Sequence, residues 1–262
     1  MQFDVDGKAA FAYSAGHALD LALPSVVFIH GAAHDHSVWS LQSRYFAFHR
    51  RNVLALDLPG HGRSAGPPLA SVQALADWTV RLLDRAAIAR AALVGHSLGG
   101  LIALEMAARH PPRVARLALL GVSLPMPVSD AFLDAARRDD HAAFVMDTIW
   151  GHAPETRIGG DPVPGMWLQG KSMRLLERSA PGVLYTDLKA CNDYADGERA
   201  AAQVSCPALF ILGRRDAMTP PRTTAEAARR IAGSRTVWLE AAGHAMTVEQ
   251  PDAVLDALIE FL

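Results

Sequence analysis

The stretch LVGHSLGGLIALEMA, residues 93–107, decides how the chain reads. An apolar run leads into a serine set among three glycines, and a helical pattern follows. A serine there can be a helix N-cap, a common use of the residue. It can also be a nucleophile. Gly95-His96-Ser97-Leu98-Gly99 fits G-x-S-x-G, in which the serine sits on a sharp strand-to-helix turn and projects its hydroxyl. Glycines two before and two after keep side chains clear of the neighbouring strand and helix. A helix start adds a positive dipole end and free N–H groups, which suit a developing oxyanion.

Working outward, short apolar runs alternate with longer amphipathic ones. VVFIHG (26–31), NVLALDLPGHG (52–62), AALVG (91–95) and RLALLGV (116–122) read as buried strands. Helical patterns occupy residues 37–49, with Trp39, Leu41 and Phe46, residues 71–88, and Ser97 to about Arg109, where Pro111-Pro112 ends the run. Strands apolar on both faces, alternating with helices, predict a parallel sheet covered by helices. The alternation stops at residue 124. It resumes with PALFILG (207–213), TVWLEAAG (236–243) and a last helix from Glu249 to Leu262. The expected organisation is one core, residues 1–123 and 204–262, interrupted by a mostly helical insertion at 124–203. That insertion is too long for an ordinary loop.

A serine nucleophile needs a base and an orienting acid. In a sheet of this kind they should follow in the order serine, acid, histidine, each just past a strand end. Asp216 follows PALFILG and His244 follows TVWLEAAG; no histidine lies between residues 153 and 243. Ser97, Asp216 and His244 are therefore the expected triad. The oxyanion donors should be the backbone N–H of Leu98 and one from HGAA (30–33), with Ala32 favoured over Ala33.

Half of the 262 residues are hydrophobic and the net charge is −2. That suffices for a sizeable core and gives no reason to expect nucleic acid or an anionic membrane as partner. No apolar run approaches the roughly 18 residues of a membrane span, and the N-terminus lacks the pattern of a secretory signal. Cys191 and Cys206 make neither a disulfide framework nor a zinc site. A cytoplasmic protein is the expectation.

With these pieces in place, the chain resembles the α/β-hydrolase family. The segments that carry the resemblance are VVFIHGAAHDHSVW, LALDLPGHGRS, LVGHSLGG, CPALFILGRRDAMTP and AAGHAMTVEQP, which span residues 26–251 and skip the insertion. The family implies an eight-stranded, mostly parallel sheet with helices on both faces and a helical cap after the sixth strand. It implies Ser97 as nucleophile, Asp216 as acid and His244 as base. A serine nucleophile separates this chain from relatives that use aspartate. C–C bond hydrolases of the fold usually carry tryptophan after the catalytic histidine, where this chain has Ala245.

Other residues invite a reading. His30, His34 and His36 cluster, but HGAAHDH is not the H-x-H-x-D-H of a dinuclear site and no carboxylate-rich segment supports it, so no metal is expected. His30 is expected to shape the oxyanion loop, with His34 and His36 at the pocket mouth. Asp57 and His61 of DLPGHGRS are expected to be structural, with Asp57 binding turn N–H groups. Residues expected to line a substrate pocket are His30, Ala33, His96, Trp150, Trp167, Met218 and Met246. Residues 124–205 carry eight basic and twelve acidic residues, which weighs against an anionic carrier protein as partner.

The reading is a cofactor-independent serine hydrolase of a small ester or lactone. Alternatives on the same triad are C–C bond hydrolysis and a perhydrolase of the haloperoxidase-like kind. A small-molecule receptor with slow or no turnover is the alternative of another class.

Overall fold

Each central strand feeds two cores. Successive side chains of a strand point to opposite faces, so Val27 and Ile29 pack on one side of the sheet while Val26 and Phe28 pack on the other. Leu93 and Val94, Leu119 and Leu120, and Phe210 and Ile211 divide in the same way. The structure, a computed structural model, describes residues 1–159 and 165–262.

The strands are β1 (Gln2–Val5), β2 (Lys8–Tyr13), β3 (Ser25–Ile29), β4 (Asn52–Leu56), β5 (Ala91–His96), β6 (Val114–Leu120), β7 (Ala208–Gly213) and β8 (Arg235–Leu239). They form one sheet in the order β1-β2-β4-β3-β5-β6-β7-β8. β3 to β8 run parallel, and β2 joins β1 and β4 antiparallel. The sheet is thus eight-stranded, mostly parallel and open, with helices on both faces, as the resemblance implied.

One face is covered by α1 (Ser40–Phe48) and the C-terminal α11 (Pro251–Phe261), whose Phe46, Val254, Leu258 and Phe261 enter the core with Trp39. The other is covered by α2 (Val72–Arg85) and α3 (Leu98–Arg109). Ser71 caps α2 by accepting the Ala74 N–H, and its apolar stripe, including Leu75, Leu82 and Leu83, is wholly buried.

The insertion supplies α4 (Asp130–Arg137), α5 (His141–Gly151), α6 (Leu168–Glu177), α7 (Val183–Asp193) and α8 (Gly197–Gln203). Phe132, Ala143, Leu176, Leu184 and Leu188 of α4–α7 build a third core, which Ala32 and Ala33 of the loop after β3 complete. α8 packs on α3 instead, and its Ala200 and Ala201 belong to a core of the sheet. α7 bridges the two, with Leu188 in the third core and Cys191 in the sheet core. α9 (Pro221–Arg229) and the short α10 (Met246–Glu249) complete the chain.

Two boundaries differ from the sequence reading. TVWLEAAG is a strand only to Leu239, because the chain then turns back: the Arg215 N–H donates to the Ala242 carbonyl across the end of β7. The last helix begins at Pro251 rather than Glu249, where proline at the first position suits a helix start.

Candidate active site

Ser97 stands between β5 and α3 with φ 54° and ψ −120°, a left-handed backbone that a non-glycine residue adopts at a cost. Its side chain does not cap the helix, so the N-cap reading of its hydroxyl fails even though the residue does begin the helix. The glycines explain how so sharp a turn fits. A methyl group added at Gly95 would overlap the Gly99 backbone, and one added at Gly99 would overlap the carbonyls of Ile29 and His30. The turn is closed by the Ser97 N–H on the Leu120 carbonyl at 2.9 Å.

His244 and Asp216 meet beyond the ends of β8 and β7. The His244 Nδ1 lies 2.8 Å from Asp216 Oδ2, both groups buried. Asp216 is held by its own loop: Oδ1 accepts the N–H groups of Met218 and Thr219, and Oδ2 accepts the Thr219 hydroxyl at 2.6 Å. Gly121, with φ 58°, leaves room for the ring, since a methyl group there would press on His244 Nδ1 and Cε1. Burial opposes the charge on both partners, yet their mutual attraction outweighs it. His244 is held above the ordinary histidine range, with Asp147 and Glu249 helping, and Asp216 below the ordinary carboxyl range.

The loop after β3 brings a second set of donors. Among the described residues, neither the Ala32 N–H nor the Leu98 N–H has a hydrogen-bond partner. His30 is wholly buried below them. Its Nδ1–H donates to the Gly31 carbonyl at 2.8 Å and its Nε2 accepts the Leu58 N–H at 3.1 Å, which fixes the tautomer. Burial keeps the ring uncharged.

Ser97, His244 and the loop after β3 meet at one cavity of about 440 Å³, within the size range of small-molecule sites. Ser97, His244, Gly31 and Ala32 lie on its floor side; Phe132, Trp150, Leu175 and Leu188 of the insertion supply apolar wall. His34 and His96 also line it, and burial pushes them down to about 4 and about 3, so both are neutral. His96 donates from Nε2 to the His244 carbonyl at 2.8 Å.

Residues 26–257 match the alpha/beta hydrolase family. The chain belongs to that family. It is 31% identical over 247 residues to a pimeloyl-(acyl-carrier protein) methyl ester esterase of Neisseria meningitidis serogroup B, covering 88% of this chain and 90% of that one. It is 33% identical over 204 residues to an esterase of the same name from Chromobacterium violaceum, covering 75% and 78%. The enol-lactonase from Burkholderia xenovorans LB400 superposes with a TM-score of 0.86 at 25% identity, covering 100% of this chain and 99% of that one. The protein is an enzyme of the hydrolase class.

Within this hydrolase the residues expected to line a pocket divide. His96, Trp150 and Met218 line the cavity. His30 does not, being sealed under the loop. Ala33 does not either, and its N–H is already committed to Asp187 Oδ2 at 2.9 Å, which removes it as an oxyanion donor. Met246 is wholly buried in the core beneath Gly121. Trp167 is 77% exposed and lies over Gly170 on the outer surface.

His36 is not at the cavity mouth. It packs against Phe11 and Tyr13 and places Nδ1 2.8 Å from Asp57 Oδ1. Asp57 also accepts the N–H groups of His36 and Arg63, the turn role expected of it. Asp35, His36 and Asp57 bring potential ligand atoms within 4.8 Å of one another. Those atoms already serve the loop, since Asp35 Oδ1 accepts the Ser37 N–H.

Three further groups of the hydrolase escape the sequence reading. Asp187 of α7 accepts both the Ala33 N–H and His61 Nε2, the latter at 2.7 Å. Glu249 accepts the Gly243 N–H next to His244, together with the Ala153 N–H and the Thr156 hydroxyl of the insertion, each at 2.7 Å. Asp147 of α5 lines the cavity. The only local signal among the site's supports is Thr219, three residues after Asp216.

Proposed function

We propose that the enzyme hydrolyses a small carboxylic ester or lactone through an acyl-enzyme on Ser97. Ser97 Oγ attacks the carbonyl carbon as His244 Nε2 takes its proton. Asp216 holds the imidazole by Nδ1 and stabilises the imidazolium. The N–H groups of Leu98 and Ala32 receive the oxyanion. The tetrahedral intermediate collapses, the C–O bond breaks, and His244 returns the proton to the leaving oxygen. Water, deprotonated by His244, then attacks the acyl carbon and frees Ser97. No cofactor takes part in this sequence.

The observation that carries this reading is that Ser97, in a left-handed turn, and His244, with Nδ1 2.8 Å from the buried Asp216 carboxylate, line one cavity together with Ala32, whose N–H is unpartnered. The names of the relatives support the class of bond: one set are methyl ester esterases and one is an enol-lactonase. We take residues 124–203 as a cap over a core of 1–123 and 204–262, with α4–α7 roofing the cavity. The acidic balance of this segment leads us to assign a small-molecule substrate rather than one borne by an anionic carrier protein.

A panel of aryl esters and lactones of increasing acyl size, run on wild type and Ser97→Ala, tests this. Hydrolysis by wild type that vanishes in the variant is expected. Equal rates in the two proteins, or no turnover of any member by wild type, would overturn it.

A further inference from the structure

The roof of the cavity holds a carboxyl group that accepts no hydrogen bond from the protein. Asp147 lies on α5 and is 8% exposed. Among the described residues the other buried carboxyl groups all accept protein donors: Asp35 from Ser37, Asp57 from His36 and Arg63, Glu105 from Tyr194, Asp187 from Ala33, Asp216 from Thr219, and Glu249 from Gly243. Asp147 accepts none from the protein, and it lines the cavity. Buried polar groups are almost always satisfied, because an unmet one costs stability.

The position is fixed from below. The C-terminal end of α5 is tied to the His244 loop, where the Ala245 N–H donates to the Gly151 carbonyl and the Ala153 N–H to Glu249, both at 2.7 Å. Asp147 is one turn before Gly151, and residues four apart on a helix share a face. Its carboxyl is therefore held over the same space as His244 and Ser97, among the apolar walls of Phe132, Trp150 and Met218.

We propose that Asp147 is the specificity residue of this site, accepting a hydrogen bond from a hydroxyl, N–H or ammonium group of the substrate. The preferred ester then carries a donor on the acyl chain or the alcohol and is not a plain hydrocarbon ester. This rests on Ser97 as nucleophile and on the cavity as the substrate pocket. Burial raises the Asp147 carboxyl to about 6, as befits a group whose partner arrives with the ligand.

Esters matched in shape test it, with methyl, hydroxyl or ammonium at carbon 3 or carbon 6 of the acyl chain, or at the end of the alcohol. Wild type should favour at least one donor-bearing ester over its methyl isostere by at least about tenfold in kcat/KM. Asp147→Leu should abolish or reverse that ratio. Asp147→Asn should keep part of a hydroxyl preference and lose an ammonium preference, which identifies the donor's charge. Labelling of Ser97 by a fluorophosphonate reports an intact site in each variant; if the leucine variant does not label, the asparagine variant decides by the same ratio. No preference in wild type, or an unchanged preference in labelled variants, overturns the proposal. A wild type that labels and turns over esters without preference contradicts only the role of Asp147, whereas one that hydrolyses no ester contradicts the esterase reading itself.

Discussion

The carboxylate of Asp187 accepts the N–H of Ala33 at 2.9 Å, so a helix of the insertion holds the loop that presents Ala32. The same oxygen lies 2.7 Å from His61 Nε2, and both side chains are buried. Burial alone would push His61 down; the charge and hydrogen bond of Asp187 hold it above the ordinary range instead. Removing one member of such a pair leaves the other buried and unpaired. Asp187→Ala should cost about 3–5 kcal/mol in denaturant unfolding. In the fraction that folds, kcat should fall more than KM rises, because in the proposed mechanism the loop serves the oxyanion rather than the ground state.

The pH profile follows from His244. In the proposed mechanism the base works as neutral imidazole, and the raised value of His244 means that it stays protonated to a higher pH than a free histidine. The rate constant kcat/KM should therefore fall as pH drops through a value above 6.5. Asp216→Asn removes the charge that raises it. That variant should lose on the order of 10⁴ in kcat, with its acid limb moved to lower pH. Steady-state rates across pH for both proteins check this.

Asp147 makes the opposite kind of pH prediction, in stability. Folding raises this carboxyl from 3.8 to about 6, so the folded state resists its ionisation. The penalty is absent below 3.8, grows between the two values, and is complete above about pH 6. Asp147→Asn should then stabilise the fold by on the order of 2–3 kcal/mol above about pH 6. The gain should vanish below pH 3.8. Thermal unfolding of wild type and variant across pH measures it.

Gly95→Ala and Gly99→Ala place a methyl group into backbone that no rotamer can move. Each should cost at least about 3 kcal/mol and abolish labelling of Ser97 by a fluorophosphonate. Ser97→Ala should leave the unfolding midpoint close to that of wild type, since the side chain caps nothing.

The core was legible because its signals are local. Strand faces alternate within five or six residues, and the glycines of GHSLGG, the Pro-Gly turn after β4 and the residues just past β7 and β8 punctuate the ends. Asp6-Gly7 was an overlooked signal of the same kind: both residues have positive φ and close the β1-β2 hairpin. The segment between β6 and β7 was opaque because its contacts are distant in sequence. Asp187 lies 154 residues from Ala33 and 126 from His61, and nothing in LYTDLKA marks it. Trp167 and Met246 show the converse. Aromatic and thioether side chains suit a pocket and a packed surface equally, and only the fold distinguishes them.

The central claim is that Ser97 forms the acyl-enzyme, and peptide mapping by mass spectrometry after fluorophosphonate treatment tests it most directly. The account predicts one adduct, on the peptide containing Ser97, with ester hydrolysis lost in proportion to labelling and at least about a 10³-fold lower rate in Ser97→Ala. Full inactivation with the adduct elsewhere, or wild-type hydrolysis by Ser97→Ala, would contradict it.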